Sequence, residues 1–208
     1  LRWLKRKIAW VELSFSFDDK KIFDNAKITL SINKIYGIIG KSGAGKTTLL
    51  NILMGFYPSK SKLYYNKKKY IQDFKSIQDQ ISYVPQNVYL YDDSIIKNVI
   101  LNDIVTESDI SKVKEIFNKL NLLDFVNNLE SGLDTIVGEK GAKLSGGQVQ
   151  RIGLARAIFH DRRIIILDEF TSALDNKTEN ELLEFLKTIS ENSTIIIVSH
   201  RLKPIEIC

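Results

Sequence analysis

Eight consecutive residues, Gly40-Lys41-Ser42-Gly43-Ala44-Gly45-Lys46-Thr47, leave this chain few ways to fold. They fit Gly-x-x-x-x-Gly-Lys-Ser/Thr and follow the apolar stretch 35–39, which reads as a buried strand. The pattern demands a strand, a glycine-permitted turn and a helix in direct succession. Glycines let backbone N–H groups turn inward, and the helix beginning near Lys46 brings its positive dipole end to the same place. What such a turn holds is phosphate. On this reading residues 40–48, Thr48 included, lie against a nucleotide, and Lys46 reaches its β and γ phosphates. Thr47 turns a hydroxyl toward Mg2+, an ion that takes hard oxygen ligands and keeps several waters.

A second strand is expected over 163–167, where β-branched residues run without interruption into Asp168 and Glu169. Open α/β sheets bind ligands at the carboxyl ends of their strands, so both acids are expected in the same crevice as the glycine loop. Asp168 is the expected Mg2+ partner, directly or through water. Glu169 is expected to orient and deprotonate an attacking water, which needs a carboxylate within hydrogen-bond reach. A third apolar strand, 194–198, ends in Ser199-His200-Arg201 and sets His200 at another carboxyl end.

A further motif, Leu144-Ser145-Gly146-Gly147-Gln148, has no use inside a single site of this kind. It opens an apparent helix over 148–160, and a helix N-terminus lined with Ser and Gly is a second place for an anion. With these motifs in this order, the chain resembles the ATP-binding cassette (ABC) ATPases over nearly its whole length. The resemblance implies a P-loop NTPase core of RecA-like type, with an N-terminal antiparallel β region and an inserted α-helical subdomain that carries the Leu144–Gln148 signature. It also implies that two copies dimerise head to tail, each ATP lying between one copy's phosphate loop and the other's signature. Ser145, Gly146, Gly147 and Gln148 would then meet a nucleotide held by the second copy.

Other positions take their roles from the same resemblance. Phe17, in Ser14-Phe15-Ser16-Phe17, stands where the family has an aromatic residue stacking on adenine; tyrosine is commoner there, and phenylalanine keeps the π-face. Gln86, in Tyr83-Val84-Pro85-Gln86, matches the glutamine that meets Mg2+ and the lytic water. Asp175, in Ser172-Ala173-Leu174-Asp175, matches the loop that runs across the dimer interface, and His200 matches the histidine that hydrogen-bonds the γ-phosphate. Residues 135–141, with Glu139 among them, resemble a loop of exporter-type cassettes that touches a transmembrane partner.

Length and composition agree. The 208 residues, 44% of them apolar, suffice for one sizeable core. A single domain over 1–208 is expected, with residues 8–93 and 148–208 as core and β region and 94–147 as the helical subdomain. Ile110, Val113, Ile116, Phe117 and Leu120 fall on one face of a helix within it. The only cysteine is Cys208, so disulfides are not part of the fold. No apolar run reaches the roughly 18 residues that span a bilayer. The chain begins with Leu1 and ends shortly after His200, and so reads as a piece of a longer polypeptide with its membrane part, fused or separate, elsewhere.

The net charge of +5 is modest, and the runs Lys5-Arg6-Lys7 and Lys67-Lys68-Lys69 lack interleaved aromatics, so no nucleic-acid partner is expected. The expected function is the Mg2+-dependent ATPase domain of an exporter or flippase at the cytoplasmic face of the inner membrane. The alternative is a soluble cassette ATPase acting on nucleic acid or ribosomes, against which the absence of long heptad repeats argues.

Overall fold

The computed structural model describes residues 8–17, 20–57, 62–65, 68–69 and 78–208. Two sheets frame it. One is antiparallel, in the order β2-β1-β4-β5, from β1 (Ile8–Phe17), β2 (Lys20–Ser31), β4 (Lys62–Tyr65) and the two-residue β5 (Lys68–Lys69). The other is parallel, in the order β3-β8-β7-β6, from β3 (Ile35–Ile38), β6 (Ile81–Val84), β7 (Ile164–Asp168) and β8 (Thr194–Val198). Phe17 closes β1 opposite Lys20, and its side chain lies outside the described part. Residues 5–7 and Lys67 lie outside the described residues altogether.

Buried strands of a parallel sheet are apolar on both faces, as the runs Ile164–Leu167 and Ile195–Val198 require. Successive side chains point to opposite faces. Ile166, Ile196 and Val198 accordingly pack with Leu50 and Met54, while Ile165, Leu167, Ile195 and Ile197 join a larger cluster on the other side. Helix α1 (Lys46–Leu53) is thereby held between the sheets: Leu50 faces the parallel one, and Leu49 and Ile52 pack near Phe15, Phe23 and Ile28 of the antiparallel one.

The larger cluster continues through helices α2 (Ile95–Ile100), α3 (Glu107–Lys119) and α4 (Leu123–Asn127) to α5 (Gly146–Phe159) and α6 (Asn176–Ile189). Thr106 and Asp109 close α3 with a capping box, which satisfies two backbone donors that a helix end otherwise leaves unpaired. Val113, Ile116, Phe117 and the following Leu120 are buried, and Ile110 is half-buried, so the face expected from the sequence is the one that packs. Full burial of one such side chain contributes about 1.5–3 kcal/mol. Among the described residues no helix is long and apolar enough to cross a membrane.

Register decides where the chemistry sits. Ile38 pairs with Val198, Val198 with Asp168, and Leu167 with Val84. The four parallel strands therefore end level with one another, and the next one or two residues of each chain segment, Gly40, His200, Glu169 and Gln86, emerge along one edge.

Candidate functional site

At the end of β3 the chain turns into α1 through Gly45, whose φ of 89° is left-handed. A side chain there is excluded twice, by that conformation and by space. A Cβ would stand 3.1 Å from Ile22 Cγ2 and 3.3 Å from Phe23 Cζ on β2. The Lys46 ammonium donates to the carbonyl oxygens of Gly40 at 2.7 Å and Lys41 at 3.0 Å, and the Ala44 N–H donates to Lys41 O at 3.1 Å. No side chain caps α1 and no acid stands in its first turn, so its positive end faces the loop unscreened.

A cleft of about 380 Å³ opens above this turn. Ser42, Gly43, Gly45, Lys46, Thr47 and Thr48 line one side and Gln86, Asp168, Glu169 and His200 the other, with Ile22 from β2. The Lys46 ammonium and backbone donors thus face carboxylates across a space suited to a polyphosphate. Gly40 and Lys41 serve the loop through their carbonyls, and Ala44 through its N–H.

The two adjacent acids differ in surroundings. Asp168 accepts from the Tyr83 hydroxyl at 3.2 Å. Burial lifts the Asp168 carboxyl above the usual range; the Tyr83 bond opposes this, the Glu169 charge adds to it and Lys46 opposes it. Tyr83 is pushed up to about 12, first by burial and then by Asp168. Glu169 accepts from Gln86 Nε2 at 3.1 Å through one oxygen and meets His200 Nδ1 at 3.1 Å through the other. Its backbone is left-handed, φ 48°, a conformation that strains a residue with a side chain. Glu169 N–H donates to Val198 O at 2.8 Å and Ser172 N–H to Glu169 O at 3.2 Å, which holds it there.

Thr47, Gln86 and Asp168 offer hydroxyl, amide and carboxylate oxygens to the same cleft. Among the described residues no three His, Cys, Asp or Glu gather around a point. A donor set of this hardness and sparseness fits Mg2+, which brings most of its own waters.

The signature residues do not line this cleft. Ser145 caps α5: its Oγ accepts from Gln148 N–H at 3.3 Å, and Gln148 Oε1 accepts from Ser145 N–H at 2.8 Å. Ser145 and Gly146 are exposed, and a Cβ on Gly147 would stand 3.1 Å from Ala173 O, so the signature packs directly on the 172–175 loop. Asp175 caps α6, accepting from Thr178 and Lys177, and the Thr178 hydroxyl bond leads the interactions that lower its pKa to about 2. Glu139 is exposed in the 3-10 turn Glu139–Gly141. Three residues of the site went unread in the sequence. Ile22 and Tyr83 look like ordinary strand residues, and Gln150 gave no local sign that its amide would join Ser172 Oγ at 2.9 Å and Ala173 N–H at 3.2 Å.

Comparison with known proteins agrees with this geometry. The family model described as ABC transporter matches residues 23–172. The ATP-dependent lipid A-core flippase of Vibrio vulnificus (strain YJ016) is 34% identical over 201 residues, 94% of this chain and 34% of that protein. The ATP-dependent lipid A-core flippase of Ralstonia nicotianae (strain ATCC BAA-1114 / GMI1000) is 36% identical over 200 residues, covering 94% and 34%. The chain thus spans about a third of the length of the curated relatives it matches. Among solved structures, a bacterial Atm1-family ABC exporter with ATP bound superimposes with a TM-score of 0.85 at 30% identity, covering 97% of this chain and 36% of that one. The match of the ABC transporter family model to residues 23–172, well over half of the chain, places this chain in the ABC transporter family.

Proposed function

We infer that this chain binds and hydrolyses ATP to drive an exporter or flippase. The single observation that carries the hydrolytic part is Glu169, held by Gln86 and His200 on the rim of the phosphate-loop cleft. The exporter or flippase assignment draws on the relatives' names and on the solved neighbour, which favour it over a soluble cassette acting on nucleic acid or ribosomes.

In this reading the triphosphate lies along the loop, with backbone N–H groups and the start of α1 around its β and γ phosphates. The Lys46 ammonium exchanges its loop carbonyls for phosphate oxygens. Thr47, Asp168 and Gln86 would hold Mg2+, which would supply charge to neutralise the phosphates. Glu169 takes a proton from water as the water oxygen bonds to the γ-phosphorus and the bond to the β,γ-bridging oxygen breaks. His200 donates to the γ-phosphate and helps hold Glu169. Phe17 supplies the face on which adenine stacks.

The second anion end, at Ser145–Gln148, serves the nucleotide of another copy, and Asp175 runs along the interface. A transmembrane partner docks against residues 135–141, and the ATPase works at the cytoplasmic face of the inner membrane. The decisive experiment is Glu169→Gln, which keeps the shape of the side chain and removes its basicity. ATP binding should stay within about threefold of wild type, while phosphate release falls at least about a hundredfold. Turnover at the wild-type rate would exclude Glu169 as the base.

A further inference from the structure

Glu179, in the first turn of α6, is fully buried. A buried carboxylate is tolerated only when paired, and breaking such a pair is strongly destabilising. Its Oε2 meets Arg201 Nη2 at 2.9 Å and Lys203 Nζ at 3.3 Å, and its Oε1 has no hydrogen-bond partner. Arg201 does more than balance that charge. Its other terminal nitrogen, Nη1, donates to Thr171 O at 2.9 Å and reaches Thr171 Oγ1 at 3.4 Å, and its backbone N–H donates to the buried Ser199 Oγ at 2.9 Å. One guanidinium thus fastens three segments: the turn after β7, the start of α6 and the segment after β8.

Those are the segments that carry the Glu169–His200 pair. Thr171 follows Glu169 by two residues, and Arg201 follows His200 directly. The His200 side chain is 63% exposed, so packing around the ring does not fix it, and its 3.1 Å approach to Glu169 must be set by its backbone. Glu169 keeps a strained left-handed backbone, which persists only where its surroundings over-determine it. We propose that Arg201 and Glu179 act as positioning residues for hydrolysis, an ionic clamp built on a buried carboxylate that holds Glu169 and His200 in register with each other. Neither touches the cleft. The clamp rests on the ATPase reading above.

The fork is what matters, because a planar guanidinium holds two nitrogens at a fixed separation, one on Thr171 and one on Glu179, a geometry that the single nitrogen of an ammonium on a flexible stem does not reproduce. Arg201→Lys keeps the charge and loses the fork. In the purified protein with MgATP, kcat should fall about ten- to a hundredfold, the scale on which small misplacements act, while KM for ATP stays within about twofold and thermal unfolding shows a folded protein. A purely structural ion pair would be satisfied by lysine. A folded Arg201→Lys protein with wild-type kcat therefore overturns the clamp, as does a rise in KM that accounts for the whole loss. Should that variant fail to fold, Glu179→Gln removes the charge at unchanged volume and carries the same expectation; wild-type kcat there also overturns the clamp. A wild-type protein without ATP turnover would overturn the ATPase reading itself, and the clamp with it.

Discussion

Neighbouring carboxylates are usually interchangeable in a sequence, yet Asp168 and Glu169 are held by different partners. Asp168 faces Tyr83 and the loop, half-buried, and its pKa is raised chiefly by that burial. A raised carboxyl pKa means that the folded protein binds the proton more tightly than the unfolded chain does. Ionised Asp168 therefore weakens the fold above its folded-state pKa, and the penalty fades as pH falls through that pKa toward the ordinary 3.8. Asparagine keeps an oxygen for the Tyr83 hydroxyl and carries no charge. Asp168→Asn should be more stable than the parent at pH 7 without nucleotide, by less than about 1 kcal/mol after solvent screening. Thermal melts from pH 7 to pH 4 test this. The gain should shrink as the parent's own carboxyl takes up its proton; a gain that does not change with pH would mean that charge is not its cause. Turnover should be lost at every pH, since stability and function conflict at this position. Asp168, Glu169, Gln86 and His200 were legible because each occupies a motif position. Tyr83 was not, because a tyrosine on a strand reads as packing until its hydroxyl is seen to face a carboxylate.

Helix α5 runs over Gly146–Phe159 where 148–160 was expected, because the Ser145 cap lets the two glycines into its first turn, and its sequence also hides its work. The sequence marks its start with the signature. The partners of its arginines are distant in sequence and could not be read: Arg151 donates to Leu120 O and Asn121 O, and Arg156 to Tyr89 O and Asn98 O. With Gln150 on the 172–175 loop, the helix anchors three connections through their carbonyls or amides. Gly153 completes the fit. A Cβ on it would stand 2.7 Å from both Val88 methyl carbons, closer than real contacts allow, and Val88 follows Gln86 by two residues. Glycine inside an exposed helix gives up about 1 kcal/mol relative to alanine. Here the overpacking term, about 1–3 kcal/mol, is the larger. Gly153→Ala should thus lower the denaturant midpoint although it improves helix propensity, and it should slow ATP turnover by displacing the segment that carries Gln86. A raised midpoint would mean that Val88 gives way freely and that the close approach has no structural weight.

At the scale of the molecule, the parallel sheet and α1 were legible because the phosphate loop requires them and the apolar strands carry their own signal. The way one cluster of side chains runs from the sheet through α5 into α2–α4 was not, since it depends on contacts between segments far apart in sequence. That arrangement matters for function. Within one chain the cleft is lined by residues of the loop and of the strand ends, while the start of α5 packs on the 172–175 loop and leaves Ser145 and Gly146 exposed. On the reading proposed above, this exposed helix end with Ser and Gly at its head meets an anion that its own chain's cleft does not hold. A second copy supplies one if each copy's phosphate loop faces the other's signature, a reciprocal pairing that closes with two-fold symmetry. Glu169→Gln, which traps ATP uncleaved, should then double in mass by light scattering when MgATP is added. Adding Gly146→Asp separates the surfaces. An acid in the first turn suits the helix dipole, and a Cβ there meets Ala173 Cβ at an ordinary 3.4 Å, so the fold should tolerate it. The same carboxylate would face the partner's triphosphate and repel it. The double variant should therefore still bind ATP at its own phosphate loop, without the added affinity that pairing gives, and remain a monomer. If it dimerised as readily, the α5 end would lie away from the nucleotide and the paired-copy arrangement would have to be redrawn; if it lost ATP binding as a monomer, the signature would belong to its own chain's site.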